Sequence, residues 1–210
     1  PNDVEARHFF GLLRFQQGRA SEALVLIGAA LDAKPDYPEA HYNRGNILAA
    51  LGCYDDALAS YDAAIALQPG AAEAHHNRGN ALFKLRRHEE ALTAFERALA
   101  IEPAHIAALN DRGTALKELR RFDEALASYD RALALRADNT ETHYNRGNLF
   151  KEIRSYEESL DSYAKAQALA RDHPDRFGII DPALAICDWA QSDALADALL
   201  PLLDPNHPAT

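Results

Sequence analysis

Asparagine side chains recur at fixed places around an Arg-Gly pair in this 210-residue chain. The motif reads HYNRGN from His41, HHNRGN from His75, LNDRGT from Leu109 and HYNRGN again from His143. Asparagine carries a hydrogen-bond donor and an acceptor on one short side chain, which suits the alternating N–H and C=O groups of an extended peptide. A row of asparagines could therefore hold a peptide backbone without demanding a particular sequence.

A solvated surface is the alternative interpretation of these asparagines, because a single Asn on an exposed helix face usually has no partner but water. Asn is, however, a mediocre helix former. Placing it repeatedly at the same sites costs helix stability, and this cost favours a binding function.

The other residues with chemical potential indicate structural roles. An arginine precedes each glycine of the motif, and a carboxylate stands 17 residues after three of the glycines: Asp62, Glu96 and Asp130. We interpret these residues as ion pairs between the two helices of a hairpin. The histidines His41, His75 and His143 are too dispersed to share a metal. The chain has no phosphate-binding loop and no nucleophile elbow, so the sequence predicts neither cofactor nor metal, and no enzyme activity for this segment.

The spacing of the glycines shows what positions these groups. Gly45, Gly79, Gly113 and Gly147 are 34 residues apart, and one further step back reaches Gly11. A fixed period of this length indicates a solenoid of identical units that stack on their neighbours. In one copy the apolar spacing predicts a helix over about 72–85 and a second helix from about residue 89 that ends before Pro103.

Composition agrees with an all-helical protein and excludes several classes of partner. The formal net charge of -10 would repel a phosphate backbone, so nucleic acid is not expected. The longest apolar run, residues 23–31, is too short to cross a membrane. The two cysteines, Cys53 and Cys187, suggest no disulfide framework, which favours a reducing, cytoplasmic location. The absence of methionine suggests a piece of a longer chain.

The packing residues carry a family resemblance. Twelve residues after each glycine stands a small residue, and sixteen after it a large one: Ile27, Tyr61, Phe95, Tyr129 and Tyr163. Proline ends the first three copies and is replaced by Ala137 and Arg171 in the last two. This pattern resembles the tetratricopeptide repeat. The resemblance implies a right-handed superhelical solenoid of five hairpins, over residues 4–37, 38–71, 72–105, 106–139 and 140–173.

By the same resemblance, the first helix of each hairpin lines a concave groove. We call the polar positions on that helix the asparagine stripe, which comprises the residues six, three and two before each glycine and one after it. Its central members, the predicted groove residues, are Tyr42, Asn43, Asn46, His76, Asn77, Asn80, Asn110, Asp111, Thr114, Tyr144, Asn145 and Asn148. The residues six before are Glu39, Glu73, Ala107 and Glu141. The acidic members should bias the groove toward cationic partners.

Residues 174–210 form a degenerate repeat that we expect to supply capping helices and a linker, with the single tryptophan, Trp189, buried in the cap. The ICDW stretch from Ile186 to Trp189 resembles the junction that follows the repeats in the O-linked N-acetylglucosamine transferase and SPINDLY-like family, whose bacterial members are included. That resemblance implies an asparagine ladder, matched here by Asn43, Asn77 and Asn145. The catalytic lobes of that family are absent from this chain.

Two functions stay open from the sequence. One is a superhelix that holds an extended peptide or protein as the substrate-recognition part of a glycosyltransferase. The other is a freestanding adaptor or scaffold with no attached enzyme. With either function, weak self-association through exposed repeat ends stays a possible property of the chain.

Overall fold

The computed structural model describes residues 3–172, with side chains as far as residue 170. Within this range the chain forms ten α-helices and no strand. They are α1 (Val4–Gln16), α2 (Ala20–Ala33), α3 (Pro38–Ala50), α4 (Tyr54–Leu67), α5 (Ala72–Lys84), α6 (His88–Ile101), α7 (Ile106–Glu118), α8 (Phe122–Leu135), α9 (Thr140–Glu152) and α10 (Tyr156–Asp172). The predicted all-α fold is confirmed. The predicted cap and linker, with Trp189 and the ICDW stretch, lie outside the described residues.

Each hairpin closes on a contact between the glycine of its first helix and a large side chain of its second. A Cβ atom added to Gly79 would lie 2.5 Å from Cε1 of Phe95, and one added to Gly45 would lie 2.6 Å from Cε1 of Tyr61. Only glycine lets the ring reach the helix backbone here. The repeated glycine is therefore fixed by packing within the hairpin.

A residue in the left-handed backbone region ends the first helix of every hairpin. In the first two hairpins it is Gly18 (φ 75°) and Gly52 (φ 77°), whereas arginine takes the place later, at Arg86, Arg120 and Arg154. Glycine adopts this conformation without a Cβ penalty, and an L-residue does not. The turn conformation is thus kept even where the preferred residue is not.

The described part of the chain divides into two compact units, the first ending at Ala137 and the second beginning at Asp138. In the first unit α1 to α8 form four hairpins, and each hairpin packs on the next through α2 with α3, α4 with α5 and α6 with α7. The first helices of successive hairpins also contact one another. This order brings the stripe residues of α1, α3, α5 and α7 side by side. In the second unit α9 and α10 form one hairpin.

Among the described residues, no helix is both long enough and apolar enough to span a bilayer.

Candidate functional site

The asparagine stripe of the first unit is a half-buried polar layer rather than a row of free side chains. Asn43, Asn46, Asn77 and Asn80 are all partly exposed, as are Tyr42, Asp111 and Thr114. His76 and Asn110 are buried, with 7% and 3% of their surface exposed. Most of the predicted groove residues therefore have surface to offer a partner, whereas the last two offer little.

Hydrogen bonds join the stripe of one hairpin to the stripe of the next. Asn43 Nδ2 donates to His8 Nε2 at 2.9 Å. One hairpin further on, Asn77 Nδ2 donates to the Tyr42 hydroxyl at 2.9 Å and to Asn46 Oδ1 at 3.0 Å. Buried polar groups need such partners, and these bonds supply them across the hairpin interface.

The third junction keeps the contact but reverses its direction. Asp111 stands where the other hairpins have asparagine, and a carboxylate can only accept. Its Oδ2 accepts from His76 Nε2 at 2.7 Å. The departure of Asp111 from the asparagine pattern is thus matched by an imidazole donor in the preceding hairpin.

The stripe position after each glycine serves its own hairpin. The Tyr61 hydroxyl donates to Asn46 Oδ1 at 2.9 Å, and the Tyr129 hydroxyl lies 3.2 Å from Thr114 Oγ1. Phe95 has no hydroxyl, so Asn80 instead lies beside His76, with Nδ2 3.3 Å from Nε2. Burial raises the pKa of Tyr61 well above its usual range, and the nearby Tyr42 raises it further, so the hydroxyl stays a donor.

These bonds leave the acceptor atoms of two asparagines available. Asn43 and Asn77 use their Nδ2 groups between hairpins, and among the described residues their Oδ1 atoms accept no hydrogen bond. Because each amide is held by its donor side, its oxygen is also fixed in direction. The sequence predicted both donor and acceptor functions for each asparagine, whereas at Asn43 and Asn77 the structure leaves mainly the acceptor.

Two arginines of the motif, Arg78 and Arg112, form ion pairs with carboxylates of the preceding hairpin, not with those of their own. Arg78 Nε lies 2.6 Å from Asp62 Oδ1, and Arg112 Nη2 lies 3.2 Å from Glu96 Oε1. For these two arginines the predicted pairing within a hairpin is therefore wrong in register, although Asp62 and Glu96 are among the predicted carboxylates. The reason is that this face of the first helix packs against the second helix of the previous hairpin.

A small cleft of about 120 Å³ lies beside the stripe between the second and third hairpins. Tyr42 and Ala74 contribute to its walls, and two carboxylates, Glu39 and Glu73, stand at it. Both glutamates are exposed. The cleft combines an aromatic surface with negative charge, which suits the stem and head of a lysine or arginine side chain.

Sequence comparison now decides the family. A model described as a TPR repeat matches residues 11–52, 45–86 and 115–153. Two further models, each described as a tetratricopeptide repeat, match residues 72–105 and 140–173. The chain belongs to the tetratricopeptide repeat family. The comparison with curated proteins gives no match.

Solved structures of TPR proteins share this fold. MamA from Desulfovibrio magneticus RS-1 superposes with a TM-score of 0.75 at 22% identity, over 81% of this chain and 96% of that one. YrrB, described as a TPR protein with an unusual peptide-binding site, gives 0.68 at 22% identity, over 82% and 89%. TTC0263, a thermophilic TPR protein of Thermus thermophilus, gives 0.66 at 27% identity, over 82% and 94%.

The TPR hairpin of the second unit repeats the local pattern. The Tyr163 hydroxyl donates to Asn148 Oδ1 at 2.7 Å, and the rings of Tyr144 and Tyr163 have centroids 5.6 Å apart. Burial raises the pKa of Tyr163 to about 12, with Tyr144 adding to the effect. Asn145 and Tyr144 are partly exposed, like their counterparts in the first unit.

Sequence reasoning missed one cluster of this TPR array. Glu73, His76 and His105 bring one carboxylate and two imidazoles together at the junction of the third and fourth hairpins. The signal in the sequence was the Glu73-x-x-His76 spacing, one turn of α5. His105 could not be foreseen as the third member, because its position depends on how α7 starts against α5.

Proposed function

We propose that this TPR chain binds an extended segment of a partner protein along the asparagine stripe of the first unit, with a preference for segments that carry basic side chains. The fixed Oδ1 atoms of Asn43 and Asn77 carry the proposal, because they are acceptors that the described part of the protein does not use. Backbone N–H groups of an extended peptide would be their natural donors.

The charge of the stripe supports the basic preference. Glu39 and Glu73 stand at the cleft beside Tyr42, and the whole chain carries a formal net charge of -10. A lysine or arginine side chain placed there would lay its stem along Tyr42 and its cation between the carboxylates. Attraction of this kind should weaken as salt is added.

The described peptide site of YrrB is consistent with a binding role for a TPR array of this size. We therefore favour a freestanding adaptor or scaffold. A role as the substrate-recognition part of an O-linked N-acetylglucosamine transferase is the second candidate, and it rests on the ICDW stretch and the matching asparagines. Neither the family models nor the structural neighbours described above lend it support.

Two exposed side chains on α1, Phe9 and Phe10, are 63% and 60% accessible. They would supply apolar surface for weak self-association, which stays a prediction.

The proposal is tested with fluorescein-labelled peptides of equal length and alternating Ala-Lys, Ala-Gln or Ala-Glu sequence. We expect the Ala-Lys peptide to bind tightest in fluorescence anisotropy and the Ala-Glu peptide weakest. Replacing Asn43 and Asn77 together by alanine should weaken the Ala-Lys and Ala-Gln peptides alike, because backbone contacts are lost. Each hydrogen bond is worth about 0.5–1.5 kcal/mol, so the combined loss should reach roughly fivefold or more.

Two control variants separate binding from stability. Tyr61→Phe removes a hydrogen bond from the same network but leaves the Asn77 oxygen in place, so peptide affinity should be kept. Glu39→Gln should lower the preference for the Ala-Lys peptide, whereas Glu89→Gln, which removes an exposed charge on a second helix, should not. Unchanged affinity in the double variant, or equal weakening by Tyr61→Phe, would show that Asn43 and Asn77 have a purely structural role.

A further inference from the structure

We propose that Glu73, His76 and His105 form a binding site for one Zn²⁺ ion, a property that goes beyond peptide binding. One carboxylate oxygen and one imidazole nitrogen from each histidine all lie within 4.8 Å of one another. Imidazole and carboxylate groups are established zinc ligands, and three such ligands are enough when the fourth position is open to water or to a partner.

Two buried nitrogen atoms point to a missing ligand. His76 Nδ1 and His105 Nε2 have no hydrogen-bond partner among the described residues. The two side chains are 9% and 8% exposed. Buried polar atoms without partners are uncommon and need an explanation. Both nitrogen atoms face the Glu73 carboxylate, at 3.9 and 3.3 Å, but form no aligned hydrogen bond with it, and a shared cation would explain this arrangement.

The distances fit a small tetrahedral ion after a modest adjustment. Glu73 Oε1 is 3.3 Å from His105 Nε2, and Glu73 Oε2 is 3.9 Å from His76 Nδ1. Zinc holds nitrogen and oxygen at about 2.0–2.2 Å, so tetrahedral ligand atoms lie roughly 3.3–3.6 Å apart. The Glu73 side chain is 63% exposed, so it can rotate toward the two imidazoles, and the histidine nitrogens, which lie within 4.8 Å of each other, must also move closer together.

The surroundings of His76 already match those of a metal ligand. Its Nε2 lies 2.7 Å from Asp111 Oδ2, and a proton on Nε2 leaves Nδ1 as a lone-pair donor for the metal. A carboxylate that holds the far side of a ligating imidazole fixes both the ring and its tautomer. Asp111 would therefore be a positioning residue for the site.

His105 carries the cost of binding. Its Nδ1 accepts a hydrogen bond of 3.3 Å from the Ala108 N–H at the start of α7, which places the ring proton on Nε2 in the metal-free protein. A metal at Nε2 displaces that proton, and the ring can stay neutral only if Nδ1 takes a proton and gives up this long bond. We therefore expect moderate rather than very tight affinity.

The experiment uses the full chain after treatment with a chelator and measures Zn²⁺ binding by isothermal titration calorimetry at neutral pH. We expect one ion per chain. His105→Asn removes the imidazole but keeps a side-chain oxygen that can cap α7, and His76→Tyr places the residue found at Tyr42 and Tyr144. Loss of a positioning carboxylate weakens metal binding roughly 10–100-fold. Each of these two substitutions removes a ligand, so it should weaken zinc binding by more than that. Circular dichroism checks that both variants are folded. Asp111→Asn should fall within that range.

The adjacent His75 provides the matched control. It lies outside the cluster, where its Nε2 is 3.1 Å from the Pro69 carbonyl oxygen, so His75→Gln should leave zinc affinity unchanged. Absence of one-to-one binding by the native chain would overturn the proposal. So would an equal loss in His75→Gln and His105→Asn, which would mean that surface histidines bind zinc without a defined site.

Discussion

In the binding mode that we propose, the amides of Asn43 and Asn77 divide their two hydrogen-bonding groups between structure and recognition. Their donors hold successive hairpins together, and their oxygens would accept from a bound segment. Asp111 cannot make this division because it has no donor, and it is paired with His76 instead.

His8 at the start of the stripe gives a prediction about pH. It is 4% exposed, with Nε2 accepting from Asn43 and Nδ1 3.0 Å from the Tyr37 hydroxyl. Burial lowers the pKa of His8, although nearby Glu39 partly offsets the effect. The unfolded chain therefore takes up a proton from about pH 6.5 downward while folded His8 remains neutral, so the free energy of unfolding should fall as the pH drops below that value.

The measurement is urea unfolding of the native chain and of His8→Gln at several pH values between about 7.5 and 5.5. Other histidines titrate in both proteins. The difference between the two proteins in how the free energy of unfolding changes with pH therefore isolates the effect of His8. We expect the native chain to lose more stability on acidification than His8→Gln does. Equal slopes would contradict a neutral, buried His8.

At the scale of elements, the sequence predicted the hairpins well because their determinants are local. The 34-residue glycine, the large residue sixteen positions later and the apolar spacing all act within one hairpin, and α5 and α6 occupy the two helices predicted for the third copy. Contacts between hairpins were harder to predict from the sequence. The pairing of Arg78 with Asp62 and the meeting of His76 with His105 depend on how one hairpin sits against the next, and a period alone does not give that geometry.

The glycines of the hairpins allow a matched test of packing. In Gly79→Ala the new methyl group would meet the Phe95 ring at 2.5 Å, whereas Gly28 in α2 has no atom within 4 Å of an added Cβ. We expect Gly79→Ala to lower the free energy of unfolding by about 1–3 kcal/mol through overpacking. Gly28→Ala should raise it by about 0.5–1 kcal/mol, because alanine is the better helix former. Thermal or urea unfolding of both variants checks the pair, and similar effects at the two sites would refute the packing role of Gly79.

At the scale of the molecule, the first unit contains most of what we propose. Residues 1–137 form a compact unit that includes Asn43, Asn77, the cleft at Glu39 and the three zinc ligands. In a solenoid each hairpin contacts only its neighbours, so stability is nearly a sum of local terms. Such a unit does not depend on a single core that spans the whole chain.

A chain that ends at Ala137 should therefore fold and keep both proposed sites. We expect its α-helical content per residue in circular dichroism to match that of the four hairpins α1 to α8. Hydrogen exchange should show protected amides in α3 to α6, because each of these helices has packed neighbours on both sides. Its affinity for the Ala-Lys peptide should stay within a few-fold of the full chain, because Asn43, Asn77 and the cleft at Glu39 all lie in the first unit. Its zinc stoichiometry should remain one. A folded fragment that no longer bound the peptide would assign recognition to the second unit, while unprotected amides in α5 and α6 would show that the four hairpins do not form an independent folding unit.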